Sequence, residues 1–140
     1  MSKLNRFEEY VIKFDNKSNI IKNRLNHSHQ VMNLCELLSQ KMGLSDEEIL
    51  LSKIIGLLHD IGRFKQTYTY KTKSDFEIDH GELGVKVIFS ERLMNKLCID
   101  KKYHENICFA IQNHNKLRIE NDSDNQKVFF TQIIRDANKI

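Results

Sequence analysis

No proline occurs in the 140 residues of this chain, and glycine occurs only five times. Proline in a helix interior removes a backbone donor and glycine costs about 1 kcal/mol relative to alanine, so a chain with none of the first and few of the second permits long unbroken helices. The apolar pattern uses that freedom. Leu4, Phe7, Val11 and Phe14 recur every three or four residues, which predicts a first amphipathic helix. Asn16 to Asn19 reads as a polar break. A long second helix is expected from Ile20 to Met42, with Arg24, His27, Val31, Leu34, Cys35 and Leu38 on one face and Gly43 as its C-terminal stop.

Ser45 with Glu48 has the pattern of a capping box and opens a third helix, which holds the apolar run Ile54, Ile55, Leu57, Leu58 and ends near Gly62. Arg63 to Ile78 lacks sustained helical spacing and reads as a loop. Asp79 with Glu82 suggests a second capping box, starting a helix at His80 that continues to about Leu93. Tyr103 to Asn113 and Val128 to Ile140 complete the set, with Asn121 to Gln126 as the loop between them. The expectation is an all-α, compact bundle of about six helices in one domain spanning 1–140.

Composition narrows the class. Forty per cent of residues are hydrophobic and 29% charged, the balance of a globular chain, and no apolar run reaches the roughly 18 residues a membrane span needs. The polar N-terminus has no signal-peptide core, so the cytoplasm is the expected location. Cys35, Cys98 and Cys108 are odd in number and widely spaced, against a disulfide framework or a zinc knuckle; Cys35 and Cys108 fit core positions. A net charge of +3 with scattered lysines gives no basic patch, and a nucleic-acid partner is not expected.

His59 and Asp60 follow directly on the apolar run. A strongly polar pair beside buried apolar residues is costly unless something pairs with it. Two readings fit: a buried His–Asp hydrogen bond at a helix end, or ligation of a divalent cation, for which imidazole nitrogen and carboxylate oxygen are good donors. Other histidines favour the metal. His27 shares the inward face of its helix with Leu34 and Leu38, His114 continues the stripe Ile107, Ala110, Ile111, and His80 sits in the first turn of its helix. His29 is about 200° around the helix from His27 and is expected at the surface, and His104 fits no inward stripe.

The segments Arg24-Leu-Asn-His27-Ser-His-Gln-Val31, Gly56-Leu-Leu-His59-Asp60-Ile-Gly-Arg63 and Arg135-Asp-Ala-Asn-Lys139 resemble the three signature blocks of the HD superfamily of metal-dependent phosphohydrolases. The stretch Phe64 to Gly84, with Gln66, Tyr70, Thr72, Asp75 and Asp79-His80-Gly81, resembles a bacterial subgroup of that superfamily. The resemblance implies His27, His59 and Asp60 as metal ligands, completed by a late aspartate. In two-metal members the matches to His80 and His114 bind the second ion, with Asp60 bridging. Those members often carry two consecutive histidines where this chain has His114-Asn115, so one ion or two stays open.

The late block departs from the pattern. Motif register puts Asn138, before Lys139, at the ligand position, while charge favours Asp136, about 200° away around a helix. Register favours Asn138. Members usually continue beyond this block, so the 140 residues read as the N-terminal part of a longer protein.

The implied activity is hydrolysis of a phosphate ester on a small substrate, expected to be a nucleotide, with Asp60, His80 and His114 in catalytic roles. The mixed donor set suggests Mn, Fe, Co, Ni or Zn. Arg24, Arg63 and Lys65 are candidates for gripping phosphate, against the alternative of ordinary surface charges. Two competing readings stay open: a degenerate module that binds metal or nucleotide without turnover, which Asn138 favours, and a di-iron oxygenase.

Overall fold

A computed structural model describes residues 3–14, 19–72 and 74–140. The described residues are all-α, with no strand among them. Helices run over Lys3–Val11 (α1), Asn19–Lys41 (α2), Asp46–Leu58 (α3), Ile61–Tyr68 (α4), His80–Ser90 (α5), Leu93–Lys96 (α6), His104–Asn113 (α7) and Asn125–Lys139 (α8), with a 3-10 turn at Lys101–Tyr103. None of them is long and apolar enough to cross a membrane.

The centre of the fold is α3. Apart from Lys53, every residue from Leu51 to Gly62 is buried, as expected of a helix covered on all sides. It packs along α2 and touches α7 and α8, while α4 lies on α5. At Gly56 a Cβ would stand 2.9 Å from Met32 Cα and 3.0 Å from Cys35 Sγ. The missing side chain therefore lets α3 cross α2 one turn before His59. Buried Cys35 and half-buried Cys108 sit in or against the core, as their spacing predicted.

Local signals explain the helix ends. Gly43 has φ +70, and the bonds Gly43 N–H to Gln40 O and Leu44 N–H to Ser39 O close a Schellman motif on α2. The Ser45–Glu48 capping box is present in both directions. Asp79 caps α5 by accepting from Gly81 and Glu82 N–H, but no reciprocal box forms. Glu82 turns instead to Lys116, 3.2 Å away.

Four expectations about elements need correction. The stretch expected as a loop from Arg63 begins with helix α4, in which Ile61, Phe64 and Gln66 are fully buried. Gly62 and a run of polar residues hid a helix only eight residues long. The helix expected from His80 to Leu93 breaks after Ser90, where Arg92 turns left-handed at φ 52, and α6 follows. The first helix ends at Val11 rather than Phe14, and the last begins at Asn125, because Asp124 caps it by accepting from Gln126 and Lys127 N–H. The polar break expected at Asn16–Asn19 lies, except for Asn19, outside the described residues.

Candidate metal centre

Four chain segments bring five side chains to one point. His27 comes from α2, His59 and Asp60 from the junction of α3 and α4, His80 from the first turn of α5, and His114 from the end of α7. His59 is completely buried and Asp60, His80 and His114 nearly so, whereas the His27 side chain is 40% exposed. Gly62 makes the α4–α5 crossing close. A Cβ there would lie 2.1 Å from the His80 carbonyl oxygen and 2.7 Å from Gly84 N, so only glycine lets the start of α5 approach Asp60.

The imidazoles divide between the two oxygens of Asp60. His27 Nε2 and His59 Nε2 lie 3.5 and 3.4 Å from Oδ2 and 3.3 Å from each other. His80 Nε2 and His114 Nε2 lie 3.2 and 3.3 Å from Oδ1 and 2.9 Å from each other. The outward nitrogens have partners of their own. His59 Nδ1 is 2.7 Å from Gly56 O, His114 Nδ1 is 2.6 Å from Ile111 O, and His80 Nδ1 is 2.9 Å from Asp75 Oδ1. Carbonyl and ionised carboxylate oxygens only accept, so each of these Nδ1 atoms carries a proton and each ring turns its Nε2 inward.

Burial and neighbouring groups act in opposite directions on His59 and Asp60. Burial pushes the His59 imidazole down to about 4, outweighing the attraction of Asp60, so at neutral pH the ring is uncharged. Burial alone would raise the Asp60 carboxyl. His59, His114 and His80 outweigh it and hold the group well below the usual carboxylate range. Within each pair the inward nitrogens lie 3.3 and 2.9 Å apart, and they stand 3.2–3.5 Å from the carboxylate oxygens, so acceptor atoms converge with no Nδ1 proton among them. A cation between them resolves it. The donor set therefore fits a divalent metal: His27, His59 and Asp60 form one group of convergent ligand atoms, and Asp60, His80 and His114 a second.

A third group of convergent atoms, Asp75, Asp79 and His80, is of a different kind. Asp79 is committed to Asn115 Nδ2 at 2.7 Å, to Lys116 Nζ and to the cap of α5.

The family model for the HD domain matches residues 24–137. The chain belongs to the HD-domain family. No solved structure matches it significantly. HD domains are characteristically metal-dependent hydrolases that bind divalent cations, and this chain presents His/Asp groups able to hold one.

The remaining candidate residues divide. Arg24 is half-buried on α2, and burial first, then Arg63, lowers its pKa while Asp60 raises it, so both guanidiniums stand within electrostatic reach of one another and Arg24 of the metal centre. Arg24 and His27 line an open cavity of about 300 Å³ with Ile20 and Asn23, and Arg24 Nε is buried without a hydrogen-bond partner. Lys65 departs from expectation. It is close enough to Glu91 to lower that carboxyl's pKa, beside Lys13 and Lys96, because two positions along α4 from Arg63 is about 200° around the axis. It does not join the two arginines.

Asp136 and Asn138 are both exposed, on either side of buried Ala137, and neither hydrogen-bonds to the histidine cluster among the described residues. The last turn of α8 is nonetheless tied to the end of α7 near His114, because Arg135 Nη1 donates to Asn113 O at 3.1 Å and to Lys116 O. His29 is half-buried rather than at the surface and faces Glu8 on α1 at 3.5 Å.

Gln66 and Asp75 stand in the sequence without an assigned role. Gln66 is fully buried and donates to Asp75 Oδ1 at 3.0 Å and Ile78 O at 2.7 Å. The only signal was a glutamine three residues after Arg63, and that spacing means nothing until α4 is recognised as a helix.

Proposed function

We propose that this HD domain is a metal-dependent phosphohydrolase that cleaves the phosphate ester of a small substrate, a nucleotide, by attack of water on phosphorus. The observation that carries the reading is the division of four imidazoles between the two oxygens of one buried carboxylate, with two guanidiniums alongside. Bound in such a centre, a divalent ion of the Mn, Fe, Co, Ni or Zn type supplies a lowered pKa for water and neutralises charge on the phosphoryl group.

The protein's own side chains supply the rest. Asp60 stays ionised and shared between the two histidine pairs, so it is the residue through which both halves of the centre are held. Arg24 and Arg63 offer planar, permanently charged donors for the non-reacting phosphate oxygens. Arg24 lines an open cavity beside His27, and its buried Nε has no hydrogen-bond partner among the described residues. As the bond from phosphorus to the ester oxygen breaks, the departing oxygen takes a proton from water, while His80 and His114, whose Nε2 atoms face Asp60 Oδ1, serve that half of the centre.

The neutral Asn138 at the expected late ligand position favours a second reading, a module that binds metal or nucleotide without turnover. One screen separates the two. Phosphate monoesters, diesters and nucleotides are tested with each of the five metals, with elemental analysis of the protein used. Release of phosphate or a nucleoside by metal-loaded wild type, with a raised KM in Arg24→Ala, supports hydrolysis. A loaded protein that binds nucleotide and cleaves none of the panel supports the second reading.

A further inference from the structure

A chain of contacts runs from α4 through the loop before α5 to the metal centre, and two of its members, Gln66 and Asp75, have no part in the hydrolytic reading. Arg63 Nη1 donates to Gln66 Oε1 at 2.8 Å, and Gln66 Nε2 donates to Asp75 Oδ1 at 3.0 Å. The same Asp75 oxygen accepts from the His80 backbone N–H at 3.2 Å and faces His80 Nδ1 at 2.9 Å. His80 Nε2 then meets Asp60 Oδ1 at 3.2 Å. The Asp75 side chain is 39% exposed, but the glutamine that holds it is buried completely and also ties down Ile78 O at 2.7 Å.

We propose that Asp75 is a positioning residue for the Oδ1 half of the metal centre: by accepting the His80 Nδ1–H it fixes the ring and leaves Nε2 bare for an ion. The inference rests on reading the cluster as a metal centre, not on which reaction the centre catalyses.

The physical reason is the asymmetry between an acid and an amide. An ionised carboxylate can only accept, so His80 must place its proton on Nδ1 and keep Nε2 as a lone pair. An amide at position 75 can also donate, which allows the opposite tautomer, with the proton on the nitrogen that faces Asp60. His59 and His114 are fixed in the same sense by backbone carbonyls, Gly56 O and Ile111 O, which no substitution at their own positions removes. His80 alone of these three takes its tautomer from a side chain. The Oδ1 half is thus the half that a single substitution outside the ligands can disable. Partners of this kind typically govern metal affinity by about 10–100-fold.

The test compares wild type, Asp75→Asn and Asp75→Glu by two measurements. Long-range proton–nitrogen NMR spectra of the imidazoles report which His80 nitrogen is protonated. Titration of Mn into metal-free protein reports binding at each half. The expected result is Nδ1 protonation in wild type and a shift toward Nε2 protonation in Asp75→Asn. The Oδ1-side ion should bind about 10–100-fold more weakly in that variant, with binding at the His27–His59 side and the thermal midpoint little changed, and Asp75→Glu should recover part of the loss. Wild-type His80 protonated on Nε2, or an unchanged His80 tautomer in Asp75→Asn, overturns the proposal. So does equal weakening of both halves together with a lowered melting temperature, which would make Asp75 a structural brace. Wild type that loads metal but cleaves no ester would defeat the hydrolytic reading and leave this one standing.

Discussion

His59 shows how much one residue's surroundings decide. Its ring is buried completely, its Nδ1 is taken by Gly56 O, and burial holds it neutral, so what remains is a single lone pair aimed at Asp60 Oδ2. In His114 the Nδ1 is likewise taken, by Ile111 O, and Nε2 faces Asp60 Oδ1. The late position is the opposite case. Asn138 carries an amide where the motif register expects a carboxylate, and a neutral amide oxygen is the poorer donor for a divalent cation. Asn138→Asp is therefore expected to tighten metal binding, read by titrating Mn into metal-free wild type and variant. Unchanged affinity in that variant, with a large loss in Asp136→Asn, would assign the role to Asp136 instead. The HD ligand pattern was legible residue by residue because His-Asp after an apolar run is chemically conspicuous. Asp75 was not, since a carboxylate in a polar stretch looks like any surface acid until the fold brings a histidine to it.

At the scale of elements, the site depends on two close crossings. Gly56 lets α3 meet α2, which puts His59 beside His27, and Gly62 lets α4 meet the start of α5, which puts His80 beside Asp60. Gly62→Ala places a methyl group where only 2.1 Å separates it from the His80 carbonyl oxygen. Overpacking against backbone that cannot yield costs about 1–3 kcal/mol. A urea melt should show that loss, and His80 should be displaced from Asp60 with it. The N-terminus of α5 makes a second prediction. Burial would raise the Asp79 carboxyl, but Lys116, Asn115 and the Gly81 N–H outweigh it and hold the group far below its ordinary value. A depressed folded-state pKa stabilises above the unfolded value of about 3.9 and is lost as pH falls further. Asparagine caps a helix as well as aspartate does, so Asp79→Asn removes the ion pair and keeps the cap. Its melting temperature should fall below wild type at pH 7, and the gap should narrow toward pH 3. A gap independent of pH would mean that the charge of Asp79 is immaterial. The long helices and most of their caps were legible because a repeat of apolar residues and a capping side chain are local signals. Helix α4 was not, because its eight residues hold too little periodicity and its stability comes from lying on α5.

In the whole molecule, α3 is the axle, and the metal centre lies where its C-terminal end meets α2, α5 and α7. The chain segments that bring the ligands together are far apart in sequence, so the centre exists only when the bundle is assembled. The five convergent side chains are legible in the sequence as a family pattern, but the division of His27 and His59 to one oxygen of Asp60 and of His80 and His114 to the other is not, because it depends on two helix crossings. The same division makes Asp60 the one side chain common to both halves. Its removal should therefore disable both halves at once, while a residue that is 8% exposed at a helix junction leaves the apolar core intact. Metal content per chain in purified wild type and Asp60→Ala, measured by elemental analysis after loading with Mn and backed by circular dichroism, tests this directly. A centre organised by Asp60 predicts stoichiometric metal in wild type, none in the variant, and the same helical spectrum in both. Stoichiometric metal retained by a folded Asp60→Ala protein would contradict it.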